Sequence, residues 1–438
     1  MNSPAFQDIL QHSYWLDELV PAASSAAPLP DRVDVLIIGS GYTGLNAAIE
    51  TARGGRSTLV IDAGDPGYGC STRNGGQISP SIKPSLAALT RKYGEDRARA
   101  IRGEGTTSLY WIEERVKAEG IECDFRRNGR YHAAHTPQHY EALARELETL
   151  RKTEGVACHM VPRSEQRSEM GSDVYFGGAV YEEHASVHPA KFHRGLLRVA
   201  QEAGAEVQGQ TAATAIERNS SGFKVRTARG VVSARDVIVA TNGYTTGLTP
   251  WMQRRVIPIA SNIIATEDLP EELVDKLMPR DRVYSDSCKV VYYFRASPDR
   301  RRIVFGGRVA AREIALPDGA ARLYEKMCQT FPDLRAYGLT HTWSGTVAYT
   351  FDELAHTGVH DGVHYAMGYC GSGVAMASYL GMRTGQKVLG LAEGQTAFDR
   401  LTHPTRPLYT GKPWFLPAAI AWYRWKDMKQ HERALASA

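Results

Sequence analysis

VDVLIIGSGYTG, residues 33–44, sets an apolar run directly before three closely spaced glycines. The chain then continues through a helix-like stretch into a second apolar run that ends at Asp62. This order predicts a nucleotide-binding βαβ unit. Gly39, Gly41 and Gly44 allow a tight turn out of the strand, close approach of the backbone to a pyrophosphate, and close packing of the helix on the sheet. The helix N-terminus, with Tyr42 and Thr43 in its first turn, then directs unpaired N–H groups and a positive dipole end at the phosphates. Asp62, followed by Ala63, comes roughly 20 residues after the glycines, the distance expected of a carboxylate that accepts from a ribose hydroxyl.

At 438 residues the chain exceeds one typical core, so two domains are expected. Its 52 basic and 48 acidic residues leave a formal charge of +4, nearly balanced for this length, and nothing in that balance calls for nucleic acid. The cluster Arg300, Arg301, Arg302 follows Ser297, Pro298 and Asp299 and reads as a solvated hairpin turn. Six cysteines (Cys70, Cys123, Cys158, Cys288, Cys328, Cys370) form no CxxC pair, which argues against a disulfide framework or zinc site and fits a reducing compartment. The opening MNSPAFQDILQHSYW lacks a basic region followed by an apolar core, and no apolar run approaches the roughly 20 residues that span a bilayer. A cytoplasmic location is expected, with at most peripheral membrane contact.

Residues 21–31, PAASSAAPLPD, read as an extended arm, and the stretch after Asp62 holds too many turn formers for regular structure. Helical patterns cover about 84–118 and 137–153, with a strand-like GRYHAAH between them. A Pro-initiated helix starts after His188, strands dominate from Arg255 to Arg308, and a helix spans about 318–331. Near the end, VHYAMGYC meets a glycine turn and a long helix. Pieces of the nucleotide domain therefore occur early, in the middle and late. The expected division is an arm over 1–31, a discontinuous nucleotide domain of 32–85, 185–245 and 353–395, a mostly antiparallel substrate domain of 86–184 and 246–352, and a C-terminal tail over 396–438.

A nicotinamide enzyme would complete its second mononucleotide half directly, whereas here the chain enters STRNGGQ (71–77). A second apolar strand, DVIVATNGY (236–244), comes much later. With the segment Trp343–Asp352 and GYCGSGV (368–374), these motifs resemble FAD-dependent oxidoreductases of the D-amino-acid oxidase, glycine oxidase and sarcosine oxidase superfamily. YTGL and RNGGQ are most similar to its gamma-glutamylputrescine oxidase branch. The resemblance implies a Rossmann-like FAD domain of α/β type with an inserted β-rich substrate domain of α+β type.

It also implies roles for the motif residues. Cys70, Ser71, Arg73, Asn74, Gly75, Gly76 and Gln77 would lie along the flavin, Arg73 and Asn74 as donors and the glycines as close-approach points. Ala240, Thr241 and Gly243 would admit the adenosine side, and Ala213 sits where the family reads the adenine with a backbone amide. Gly371, Ser372, Gly373 and Val374 open the last long helix, whose positive end would face the flavin N1 and C2 carbonyl. The family often has His at the Ser372 position, so that histidine's role does not carry over.

Two departures shape the expected chemistry. The segment Trp343–Thr350 lacks the cysteine that tethers flavin in monomeric sarcosine oxidase, so FAD is expected to be dissociable. An Arg-Pro pair that binds the substrate carboxylate is replaced by Thr346, Val347 and Ala348, leaving Arg73, Arg295 or Arg308 as substitutes. An amine, or a substrate whose carboxylate is distant from the oxidised carbon, is favoured. The expected reaction is hydride transfer from a neutral amine to flavin N5, giving an imine that hydrolyses. Tyr292, Tyr293, Trp343 and Tyr349 are candidate walls, and Lys289 is the candidate for an oxygen-activating lysine.

Gamma-glutamylputrescine-like substrates of polyamine catabolism come first, then a secondary amino acid such as pipecolate, proline or sarcosine. A non-catalytic or RNA-modifying flavoprotein is the reading from another class. An oxidase is expected before a dehydrogenase, with O2 or a quinone as acceptor. The histidines 341, 356, 360 and 364 define no metal site by spacing. KPWFLPAAIAWYRWKDMKQ, near the C-terminus, reads either as a helix packed on the body or as an amphipathic membrane-surface segment.

Overall fold

The computed structural model describes residues 8–17, 19, 27–308 and 316–436. Arg32–Ile38 forms the central strand of the first sheet and is buried from Val35 onward, as expected of a strand covered on both faces. It pairs in parallel with Thr58–Ile61 on one side and Gly230–Val239 on the other. The order from edge to edge is His356–His360, Val363–Met367, Gly230–Val239, Arg32–Ile38, Thr58–Ile61 and Glu206–Gln208. An antiparallel meander, Ala213–Asn219 and Gly222–Thr227, attaches through Gly230–Val239. Late strands thus return beside the first one, so the C-terminal ends of Arg32–Ile38 and Gly230–Val239 lie together.

The second sheet has eight strands in the order Leu339–Tyr349, Ile257–Thr266, Ile303–Gly307, Tyr292–Ala296, Val283–Asp286, Arg130–Ala133, Gly178–Tyr181 and Cys158–Val161. Every pairing is antiparallel except Val283–Asp286 with Arg130–Ala133. Period-two alternation divides its faces. Tyr131, Tyr284, Phe294 and Phe305 form a core on one face with Val274, Leu277, Leu323 and Met327 from two covering helices. Alternate residues, among them Ser261, Tyr293, Gly306, Trp343 and Gly345, turn to the other face, against the glycine-rich loop after Asp62.

The helical stretch expected over 84–118 is two helices, Leu86–Tyr93 and Glu95–Ala118, broken at Gly94 with φ 84°. A larger correction concerns the N-terminal arm. Most of residues 21–31 lies outside the described residues, but the earlier part is packed. Leu10 bridges to His341 in the second sheet, and Trp15 is fully buried. Burying about 200 Å² of indole contributes roughly 5 kcal/mol before entropy, enough to hold a short segment in place. The Arg300–Arg302 cluster is a charged turn, as expected, paired with Asp275, Asp281 and Asp268.

Two helices bring the first and last motifs together. Tyr42–Arg53 packs against Gly373–Val388, and the crossing is close because Gly381 and Gly385 lie on the backbone of Thr43 and Ala47. A Cβ at Gly381 would stand 2.3 Å from the Thr43 carbonyl oxygen and 2.8 Å from its Cα, neither of which can yield locally. Gly381→Ala is therefore expected to lower stability by about 1–3 kcal/mol through overpacking. Gly103→Ala, in a helix where nothing lies within 4 Å of the new methyl, should instead be neutral or stabilising by up to about 1 kcal/mol. Urea midpoints of the two variants check the pair.

Candidate active site

The first glycine turn has the shape expected from the sequence. Gly39 takes φ 107°, its N–H donates to Ile61 O at 2.8 Å, and a Cβ there would lie 3.0 Å from Ala240 O. Gly44 is so close to the turn that a Cβ would meet Gly39 O at 1.9 Å. No side chain caps the helix at Gly41; Ser71 Oγ accepts only the first N–H, from Tyr42, at 3.1 Å. Asp62 has a further role beside the one expected. Its Oδ2 accepts from Ser40 N and Ser40 Oγ at 2.8 and 2.6 Å, and Oδ1 accepts from Gly64 N at 3.1 Å. The carboxylate thus braces the turn with protein donors, and spacing alone could not show this. Ala63 follows it, exposed.

The loop Cys70–Gln77 is held by every element around it. Ser13 Oγ donates to Thr72 O at 3.0 Å, Trp343 Nε1 to Arg73 O at 2.9 Å, and Trp15 Nε1 to Asn74 O at 2.9 Å. Asn74 closes the loop on itself, with Nδ2 donating to Cys70 O and Oδ1 accepting from Gly76 N. Gln77 Nε2 reaches Tyr284 O and Phe294 O in the second sheet. Cys70 Sγ donates to Thr346 O at 3.0 Å. Gly75 packs against Tyr293, leaving no room for a side chain. Arg73 lies over the Tyr68 ring at 4.3 Å, and its Nε is buried without a hydrogen-bond partner.

The remaining motifs converge on the same crevice. Ala240 N donates to Ile38 O, and Asn242 Oδ1 accepts from Gly368 N at 2.9 Å, joining the ATNG and GYCGSGV turns. Thr241 Oγ1 pairs with Thr245, while a Cβ at Gly243 would meet Thr346 O at 2.6 Å. Thr43 Oγ1 and Tyr369 OH, 2.7 Å apart, tie the first helix to the last turn. The helix Gly373–Val388, with Val374 buried in its first turn, has no side-chain cap at Ser372, whose hydroxyl donates to Ser81 O. Gly371 lies against the Tyr349 hydroxyl. These features fit a dinucleotide carrying a flavin: an uncapped helix end at each side, a glycine-lined crevice and a buried guanidinium nitrogen awaiting an acceptor. Ala213 opens its strand half-buried, beside Thr227.

Beyond the loop, Tyr293, Arg308, Tyr349 and Lys83 gather between the second sheet and the last turn. Tyr293 OH is 2.8 Å from Ser261 Oγ, and burial pushes its pKa up to about 12. Arg308 donates to Tyr349 OH and stacks over that ring at 4.5 Å; Lys83 Nζ stands 5.2 Å from the same ring. Burial lowers the Arg308 pKa, and desolvation together with Arg308 lowers that of Lys83, which is nonetheless solvent-exposed at the edge of the cluster. Glu353 is near enough to act on both cations electrostatically, but among the described residues neither forms an ion pair with it. Ile257, Ile259, Val290, Leu416 and Ile420 pack round Tyr349.

Several candidates fall elsewhere. Lys289 is exposed, on a turn whose backbone N–H groups are capped by Asp427, and it does not join the cluster. Strand parity sends Tyr292 to the opposite face, against Phe305 and Lys326. Trp343 is buried and serves as a donor to the loop rather than a wall. Arg295 is consumed by Gly76 O, Val187 O and Ala296 O, its pKa drawn down to about 10 by burial. His356 pairs with Asp352, and His360 stacks on Trp251. His341 instead meets His12 and Asp17, with ligand-type atoms all within 4.8 Å of one another, a grouping that spacing could not foretell. Ser13, Trp15 and Lys83 were also missed. Their partners are 59 or more residues away, so no local pattern marks them.

The model of the FAD dependent oxidoreductase family matches residues 34–386. The gamma-glutamylputrescine oxidoreductase of Escherichia coli is 31% identical over 374 residues, covering 84% of this chain and 87% of that protein. A probable oxidoreductase OrdL of Rhizobium meliloti is 30% identical over 421 residues, 94% of this chain and 97% of its own length. Among solved structures, glycine oxidase from Geobacillus kaustophilus superposes with a TM-score of 0.73 at 18% identity, covering 86% of this chain and 99% of its own. L-proline dehydrogenase from P. horikoshii gives 0.69 at 17% identity, covering 85% and 96%. These likenesses set aside the non-catalytic scaffold: the chain belongs to the FAD-dependent oxidoreductase family and is an enzyme acting on amine or amino-acid substrates.

Proposed function

We propose that this enzyme oxidises the C–N bond of an amine whose substrate also carries a carboxylate remote from the reacting carbon, as gamma-glutamylputrescine does. The observation that carries this reading is the cation pair Arg308 and Lys83, set round Tyr349 beside the glycine loop and lacking an acidic partner among the described residues. A buried guanidinium without a carboxylate is costly unless a ligand supplies one. The likeness to the Escherichia coli enzyme supports the same substrate class. The strands of the two sheets divide as a nucleotide unit of 32–85, 185–245 and 353–395 and a substrate unit of 86–184 and 246–352, but the boundary at 86 is corrected by packing. Leu89, Ala98, Ile101, Leu109, Ile112 and Val116 join the core of Val35, Ile37 and Leu380, so the helices Leu86–Tyr93 and Glu95–Ala118 go with the nucleotide unit.

We assign the cofactor to the crevice between Gly39–Gly44, Cys70–Gln77, Ala240–Gly243 and Gly371–Val374. Bound there, FAD supplies the acceptor for a hydride from the carbon beside nitrogen. The chain's own residues orient and select. Arg308 and Lys83 hold the substrate carboxylate, Tyr349 fixes the guanidinium, and Tyr293, braced by Ser261, forms the wall next to Gly75 and Gly306. Ile257, Ile259 and Val290 exclude water. The same apolar side chains disfavour an ammonium, so the reacting amine is held neutral without a dedicated base.

FAD is held without a covalent bond in this reading. Cys370, its thiol pushed up to about 11 by burial, donates to Gly368 O, and Cys70 donates to Thr346 O, so both act as thiol donors rather than thiolate nucleophiles. Acid precipitation of the holoenzyme should leave the yellow flavin in the supernatant; flavin retained in the pellet would show a covalent link. Arg308→Met should raise KM for gamma-glutamylputrescine by about 10- to 100-fold, the worth of one charge-assisted hydrogen bond, with KM for putrescine little changed. Equal losses on both substrates would mean that Arg308 does not read the carboxylate. Peroxide formation in air tests oxygen as the acceptor.

A further inference from the structure

The C-terminal helix Leu416–Ala436 has two apolar faces, and only one of them is used by the fold. The inner face carries Leu416, Ile420, Arg424, Asp427 and His431. Leu416 and Ile420 pack on Tyr349, Ile259 and Val290, Asp427 accepts from Lys289 N and Val290 N, and His431 reaches His135 O. The outer face follows the same helical spacing, through Ala418, Trp422, Trp425 and Met428. Trp422 is 58%, Trp425 49% and Met428 51% exposed, and Trp414, just before the helix, is 73% exposed. The chain's other four tryptophans, Trp15, Trp111, Trp251 and Trp343, are buried or half-buried. Exposed tryptophan is thus confined to this helix and the residues just before it, whereas the exposed tyrosines Tyr68, Tyr110 and Tyr244 lie elsewhere.

Charge indicates what covers this face. Lys412, Lys426 and Arg433 are exposed in and just before the helix, Lys429 is half-buried and pairs with the exposed Glu432 at 2.8 Å, and Asp427 is turned inward. Indole rings in a stripe flanked by lysine and arginine match the headgroup boundary of a bilayer: the rings enter the acyl edge, and the cations meet anionic lipid. None of the described helices is long and apolar enough to cross a membrane, so the contact would be peripheral. We propose that the outer face of this helix docks the enzyme on an anionic lipid surface. Because the inner face covers the cluster round Tyr349, docking would also fix the cap over the proposed substrate site. The docking itself does not depend on the substrate assignment.

Co-sedimentation of the full-length holoenzyme with vesicles tests this without turnover. Vesicles of phosphatidylglycerol and phosphatidylcholine in equal parts should pellet the enzyme and shift its tryptophan emission to the blue, whereas phosphatidylcholine alone should bind it weakly. W422S/W425S should weaken partitioning at least about tenfold, given the apolar area two indoles bury. K426E/K429E should do the same selectively on anionic vesicles, and salt should mimic it. The flavin spectrum and dye-linked amine oxidation of both variants serve as folding controls, since none of these side chains faces the cluster. Failure of the wild type to pellet, or equal pelleting of W422S/W425S, would overturn the proposal. So would a wild-type dimer that W422S/W425S dissociates, which would make a second copy the occupant.

Discussion

The carbonyl groups of Thr72, Arg73 and Asn74 each accept a side-chain hydrogen bond from a different part of the chain, and the site depends on that convergence. Ser13 and Trp15 bring the N-terminal segment to the loop, and Trp343 brings the longest strand of the second sheet. A loop with so many glycines loses much entropy on ordering, about 1–2 kcal/mol per residue for the backbone alone. Three buried indole and hydroxyl donors, with Asn74 closing the loop from within, offset that cost. A rigid wall results on that side of the crevice.

The loop also couples the two sheets. Gln77 spans from the glycine turn to the strands of Tyr284 and Phe294, and Gly75 and Gly345 admit Tyr293 and Cys70 at distances a Cβ would forbid. The cofactor crevice and the cation cluster are consequently set in one fixed relation. Arg308 comes from the end of Ile303–Gly307, Tyr349 from the end of Leu339–Tyr349, and Lys83 from the stretch beyond Gln77. Positive charge at such a cluster attracts a carboxylate.

The nucleotide unit was legible because its information is local. The apolar run, the glycine spacing and the following helix all lie within Val33–Asp62, and their geometry follows from strand-to-helix turning alone. The late motifs ATNG and GYCGSGV were readable by resemblance, and the structure brings them together through Asn242 and Gly368. The substrate side was less legible. Tyr292 and Tyr293 are equivalent in composition, and only strand parity separates the core ring from the one beside Gly75. Lys289 and Lys83 are both single lysines near turns, and what distinguishes them is a neighbour more than 200 residues away in the chain. The Asp62 contact to Ser40 and the burial of Trp15 likewise depend on tertiary approach, which no period in the sequence records.

Anaerobic titration of the holoenzyme, followed by the flavin absorbance near 450 nm, tests the central claim most directly. Gamma-glutamylputrescine should bleach the band at low concentration, putrescine should do so only at much higher concentration, and sarcosine, proline and pipecolate should leave it largely unchanged. Bleaching by the secondary amino acids in preference to gamma-glutamylputrescine would contradict the account, because it would place the bound carboxylate next to the oxidised carbon rather than far from it.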